Sequence, residues 1–212
     1  MARKRRSAPK SLKRRAGHLQ PRRTVLVFSE GEKTEVQYLE ALRQEPEVRG
    51  AASVRIQIDR ATTGSSPLTL VRHAVEARER ADAEEGEIDE VWCLFDVEWP
   101  RNHPNLREAL AEATAGVVEV AVSNPCFELW LVLHHANYSK FVENAAIARE
   151  RRKHDKTTGK ELDGALYMPR RHAAAKRAVA LAKRHVLNGT EFPHDNPSSG
   201  MHRFLASVER HD

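Results

Sequence analysis

The chain has almost no cysteine. Among its 212 residues only Cys93 and Cys126 carry thiols. They stand in separate apolar runs, without the paired spacing of a metal knuckle or a redox motif. That argues against a disulfide framework and reads as two buried free thiols in a reducing compartment. Long apolar runs are missing as well. No stretch reaches the length of a membrane span. No apolar segment follows the N-terminal charges before Thr24, so no signal peptide is expected. A cytoplasmic protein with no membrane partner fits both observations. Aromatic residues are 6% of the chain, and they form no platform of the kind that stacks single-stranded bases. Acidic residues are absent from residues 1–23, which hold ten of the 35 Lys and Arg. The other 25 face 30 Asp and Glu, so the body is mildly acidic and the positive excess lies in "MARKRRSAPKSLKRRAGHLQPRR". Little apolar content, with proline near both ends, predicts a disordered tail over 1–23. Such a tail either solubilises the chain or makes electrostatic contact with nucleic acid.

Hydrophobic residues at 40% and charged residues at 31% suit one soluble globular core. From Thr24 onward, strand-like and helix-like patterns alternate. "TVLVFS" reads as a buried strand. "TEVQYLEAL" places Val36, Leu39 and Leu42 at helical spacing. "SVRIQID" alternates with a period of two, and "SPLTLVRHAVEARERADAEE" opens with Ser66 as an N-cap and Pro67 at the first helical position. "EVWCLFD" is a strand, "HPNLREALAEAT" a helix, "GVVEVAVS" a strand and "CFELWLVLHH" a short apolar helix. Four such alternations predict an α/β fold: a Rossmann-like, mostly parallel sheet flanked by helices. After residue 137 the texture becomes charged and Ala-rich. We expect a core over 24–137 and a helical C-terminal addition over 138–212 that belongs to the same domain.

In an open parallel sheet, ligands gather beyond the carboxyl ends of the strands. Glu30 follows the first strand and Asp96 the third. Glu98 makes an acid-x-acid pair with Asp96, and in an extended segment residues i and i+2 point the same way. Carboxylates converging without cationic partners repel one another. A hard divalent ion, Mg²⁺ or Mn²⁺, relieves that cost. Glu30 or Asp96 alone could equally cap a helix or close a strand. "EGEKT" has the Lys33–Thr34 pair of a phosphate loop, but Glu32 stands where that loop needs its second glycine. The stretch from Ser29 to Glu35 carries two further glutamates, which oppose a phosphate cradle. In "SNPCFELW", Glu128 lies in the first turn of a helix, where a carboxylate suits the helix dipole or supplies another acid to the same edge. Trp130, Leu131 and Leu133 read as core. His134 is either a buried structural histidine or a support of the site.

"FSEGEKTEVQYLEAL", "WCLFDVEW" and "SNPCFELWLVLH", in this order, resemble the RloB family, which includes the abortive-infection protein AbiLii. The closing "NPSSGMHRFLASV" is similar to its C-terminal motif. The resemblance implies a Toprim-like fold, with a glutamate after the first strand and an acid-x-acid motif after the third. It assigns metal and catalytic roles to Glu30, Asp96 and Glu98. The family usually has Asp-x-Asp where this chain has Asp96-Val97-Glu98. It also implies antiviral defence beside an ATPase partner.

Cations elsewhere could meet a phosphate backbone: Lys33, Arg149, Arg151, Arg152, Lys153 and Lys156, then Arg170 and Arg171. Lys140 is a candidate to contact the scissile phosphate. Ser198, Ser199 and His202 either order the rim of the site or, through Ser198, cap the last helix. The expected function is a Mg²⁺- or Mn²⁺-dependent nuclease acting on DNA or RNA, tRNA included. The alternative is a non-catalytic module that binds nucleic acid or an ATPase partner around a structural metal.

Overall fold

The computed structural model describes residues 23–31, 33–58, 66–83, 88–156, 159 and 161–210, with the backbone alone at 56–58. The basic tail other than Arg23, and Glu32, lie outside them. Five strands form one sheet: β1 (Arg23–Ser29), β2 (Ala52–Ile58), β3 (Glu90–Asp96), β4 (Glu119–Asn124) and β5 (Ser198–Ser199). Their order is β2-β1-β3-β4-β5. The first four run parallel, as the alternating pattern predicts. β5 is antiparallel to β4, pairing Ser123 with Ser199 and Asn124 with Ser198. A two-residue edge strand in a loop-like stretch leaves no periodicity to read.

The helices are α1 (Thr34–Leu42), α2 (Pro46–Ala51), α3 (Pro67–Ala83), α4 (Leu106–Ala115), α5 (Glu128–His135), α6 (Asn144–Asp155), α7 (Gly164–Tyr167), α8 (Arg171–Leu187) and α9 (Met201–Val208). A 3₁₀ turn, Met168–Arg170, joins α7 to α8. Ser66 accepts a bond from the Thr69 amide at 3.3 Å, the expected cap of α3. The sheet is buried on both faces, so its strands are nearly continuous apolar runs. Val25 and Val27 of β1, with Trp92 and Leu94 of β3, pack with α1, α5, α8 and α9. Leu26 and Phe28, with Val91, Cys93 and Phe95, pack with α3 and α4. Each such side chain contributes roughly 1.5–3 kcal/mol on burial. Ala174, Ala178, Leu181 and Phe204 share the first of these cores with β1 and β3, so the C-terminal helices complete it instead of building their own.

The sequence places Arg23 in the tail, but β1 starts on it. Arg23 is buried and paired with Glu90, which anchors the strand's first residue. Both cysteines are buried and free. Among the described residues no helix is long and apolar enough to cross a membrane.

Candidate functional site

β2 lies on one side of β1 and β3 on the other. The gap beyond the carboxyl ends of β1 and β3 is therefore the topological switch point, where open α/β sheets bind ligands. Glu30 leaves β1 there, its amide bonded to the Leu94 carbonyl of β3 at 3.2 Å. Asp96 ends β3 beside it. Glu128 opens α5 just after β4. Glu35, in the first turn of α1, folds back over Gly31: a Cβ on Gly31 would stand 1.9 Å from a Glu35 carboxylate oxygen.

The electrostatics report this convergence. The Asp96 carboxyl is pushed well above its ordinary range, first by burial, then by the charges of Glu35, Glu128, Glu30 and Glu98. Glu98 is also raised, by burial and then by Glu30 and Glu128, with His103 and Asn144 pulling the other way. Asp96 and Glu128 push the buried Cys126 thiol further up after burial itself, which keeps it inert.

Glu98 reaches the cluster differently from the expectation. Its φ is +68°, so the chain leaves the extended conformation and turns left-handed. That conformation costs a non-glycine residue roughly 1–2 kcal/mol, and it persists where contacts fix it. The Glu98 amide donates to the Pro125 carbonyl at 2.9 Å, and the His103 amide closes the loop onto Val97 at 3.0 Å. Asn144, the first residue of α6, donates its side-chain amide to Glu98 and accepts from the Trp99 amide at 3.0 Å. The Trp99 indole donates to Asn124 at 2.8 Å. Asn124 in turn donates to Asp195 at 2.9 Å, and Ser198 donates to the same carboxylate at 2.8 Å. Ser198 thus supports the rim through Asp195. It does not cap the last helix, whose N-cap is Gly200.

Three residues of the site were not singled out from the sequence. His103 meets Glu30 at 3.0 Å, and that bond raises its imidazole pKa against the effect of burial. Glu35 and Asn144 are the others. Glu35 had a local signal, an acid in the first turn of the helix that follows Glu30. Asn144 had none, because it lies 46 residues from Glu98.

The cations divide. Arg149, Arg152 and Lys153 are exposed on α6, at i, i+3 and i+4, which is one face of a helix, and exposed Lys156 follows as its left-handed C-cap. Lys153 pairs with Glu150 at 2.6 Å. Arg151 points the other way. It is buried, bonded to Asp155 at 2.7 Å, and 3.8 Å from Glu128. It therefore anchors α6 and is not open to a phosphate backbone. Arg171 is likewise buried, held by Glu45, Glu47 and Glu209 at 2.7–3.0 Å, and is structural. Arg170 is exposed and bonds the Leu166 carbonyl. Lys33 and Lys140 are exposed, and among the described residues neither forms an ion pair with the carboxylates.

His134 is core. Its Nδ1 donates to the Trp130 carbonyl at 2.8 Å and its Nε2 faces the Tyr38 hydroxyl at 3.3 Å. Burial drives its pKa down to about 3. Arg177 of α8 covers the end of α5 by donating to the Leu133 and His134 carbonyls at 2.6 and 3.2 Å. His202 bonds back to the Ser199 carbonyl at 2.9 Å. It lines a groove of about 640 Å³ with Val117, Val186 and Arg203, so it faces α4 and the end of α8.

Hard carboxylate oxygens are the donor set that suits Mg²⁺ or Mn²⁺. Among the described residues no three His, Cys, Asp or Glu side chains are arranged to hold a metal ion as they stand. Glu30 is turned to His103 and Glu98 to Asn144. The donor chemistry fits a divalent cation, with Glu30 and Glu98 each engaged by a polar neighbour.

No curated protein and no solved structure matches the chain. The family model described as RloB-like protein matches residues 25–208, a span from β1 through α9 that takes in the sheet, the carboxylate cluster and the helices that complete the core. The chain belongs to the RloB-like protein family.

Proposed function

We propose that the protein is a Mg²⁺- or Mn²⁺-dependent nuclease of Toprim type, hydrolysing phosphodiester bonds of DNA or RNA in antiviral defence. The observation that carries this reading is the convergence of Asp96 with Glu30, Glu35, Glu98 and Glu128 at the switch point of the sheet, which, with burial, raises the Asp96 carboxyl. Asp96, Glu98 and Glu30 would hold the ion. A bound divalent ion supplies Lewis acidity to a phosphate and stabilises a departing oxygen.

The chain's own groups divide the remaining work. Glu30 would either help hold the ion or act as general acid or base; in the second role it lies against His103, within hydrogen-bond reach for proton transfer. Arg149, Arg152 and Lys153 on the outer face of α6 would meet the phosphate backbone, with exposed Lys33 after β1 and Lys140 between α5 and α6 as further contacts. The tail would add sequence-independent attraction. An ATPase partner that restrains the nuclease until infection is in keeping with the RloB resemblance.

A second reading keeps the nucleic-acid or ATPase-partner contacts without catalysis, around a structural metal. It is favoured by the engagement of Glu30 with His103 and of Glu98 with Asn144. Incubating the protein with Mg²⁺ or Mn²⁺ and a panel of tRNA, single-stranded and double-stranded DNA separates the two. The nuclease reading expects metal-dependent cleavage that Glu30→Gln abolishes with no change in Tm. Cleavage undiminished in a Glu30→Gln, Asp96→Asn double variant would refute the site.

A further inference from the structure

We infer that Asn144 is the positioning residue for Glu98, and that α6 is thereby a working part of the acid site. The inference rests on the metal-site reading above. The site's second acid stands on a turn instead of a strand, at φ +68°, and such a turn needs external fixing. Asn144 provides it from three atoms. Its side-chain amide donates to a Glu98 carboxylate oxygen, its side-chain carbonyl accepts from the Trp99 amide at 3.0 Å, and its own backbone amide donates to the Trp99 carbonyl at 3.3 Å. One residue thus fixes both the backbone after Glu98 and the direction of its carboxylate. An aspartate in Glu98's place has a shorter side chain, so the longer arm of glutamate gives the amide a fixed oxygen to hold while the other remains for a ligand.

α6 is docked at this point and not merely near it. Asn144 begins the helix, and Arg151, two turns along on the same side, approaches Glu128 at 3.8 Å. The opposite face carries Arg149, Arg152 and Lys153. A nucleic-acid strand that settles on those cations therefore presses on the helix whose first residue orients Glu98. Outer-sphere partners of ligating carboxylates typically change metal affinity 10–100-fold when removed.

The test is Mn²⁺ binding by calorimetry to the full chain, below the lower Tm of the proteins compared. Asn144→Ala should weaken Mn²⁺ binding at least tenfold. Asn144→Gln, which keeps the amide on a longer arm, should weaken it less. In a Glu98→Ala background, which leaves Asp96 and Glu30, neither substitution should have a further effect. Equal affinity in the parent and Asn144→Ala overturns the inference. So does an equal loss in the parent and Glu98→Ala backgrounds, which would make Asn144 a support of the fold alone. Should Asn144→Ala not fold, the Asn144→Gln cycle decides by the same criterion. A parent chain that binds no Mn²⁺ refutes the metal reading itself, and this inference with it. That outcome is distinct from one in which the parent binds and the variants match it.

Discussion

His134 gives the sharpest test of what is core and what is site in the "SNPCFELWLVLH" segment. The imidazole is 1% exposed. Its Nδ1–H donates to the Trp130 carbonyl, so the neutral tautomer presents Nε2 to accept the Tyr38 hydroxyl proton. Tyr38, Trp130 and Tyr167 enclose the ring edge-on at centroid distances of 5.0–5.6 Å. A second proton would sit against the Tyr38 hydroxyl with no water to solvate it, and the pKa falls from 6.5 to about 3. The folded-state pKa is depressed, so between pH 6.5 and 3 the unfolded chain binds a proton that the folded chain does not. Stability is full above that window and falls as pH drops through it, by about 1.4 kcal/mol per pH unit. Between pH 7 and pH 4.5 this residue alone removes about 2.5 kcal/mol, a large part of the stability of a typical domain. His134→Gln removes the titration while keeping a donor and an acceptor. Urea unfolding at pH 7 and 4.5 should show a smaller acid-induced loss for the variant, by about that amount. Equal losses in parent and variant would show that His134 takes up its proton in the folded state, and the core assignment would be wrong.

The same logic with the opposite sign applies to Asp96. Its folded pKa is raised, so the fold resists its charge at neutral pH, and Asp96→Asn should raise Tm in EDTA while removing any Mn²⁺-induced increase; a lower Tm in EDTA would mean the carboxylate is structural. Replacing Arg149, Arg152 and Lys153 together by Ala should flatten the salt dependence of nucleic-acid binding by about 0.9 per lost duplex phosphate contact in log K against log[salt], or about 0.7 on a single strand. An unchanged slope would remove α6 from the interface. Deleting residues 1–22 should flatten the slope further and independently, and a deletion without effect returns the tail to a solubilising role.

The parts of the fold that were legible are those whose pattern is one-dimensional. β1 and β3 are apolar runs bounded by charge, and α3 announces itself with Ser66 and Pro67. α6 was less visible because its apolar side is only Ile147 and its neighbours, beside a face of cations. Its buried side includes Arg151, which composition alone assigns to the surface. Arg171 misleads for the same reason: a cation in an Ala-rich helix looks solvated until Glu45, Glu47 and Glu209 arrive from two other elements. Glu30 and Asp96 could be placed because strand ends define an edge. The left-handed turn at Glu98 could not, since nothing in "DVEWP" specifies it. It depends on Asn144 and Pro125, which are distant in sequence.

The two ends of β3 carry the functional argument. Glu90, at its start, is partly buried, and burial alone would raise its pKa. It accepts instead from Ser207 and from the Trp92 indole, and lies against Arg23 and Arg210; the net result is a lowered pKa. Asp96, at its end, meets four glutamates and is raised. Two carboxylates on one strand, seven residues long, therefore receive opposite treatment from the same fold. The chain has the arginines to neutralise a structural acid and uses two of them on Glu90. Around Asp96 the polar and cationic partners are spent on its neighbours: His103 on Glu30, Asn144 on Glu98 and Arg151 on Glu128. A partly buried acid left facing like charges is unfavourable in the isolated protein. Such a cost is retained where it prepares a site for a ligand of opposite sign, and hard carboxylate oxygens at the switch point of an α/β sheet are the donors that suit the divalent cation proposed above.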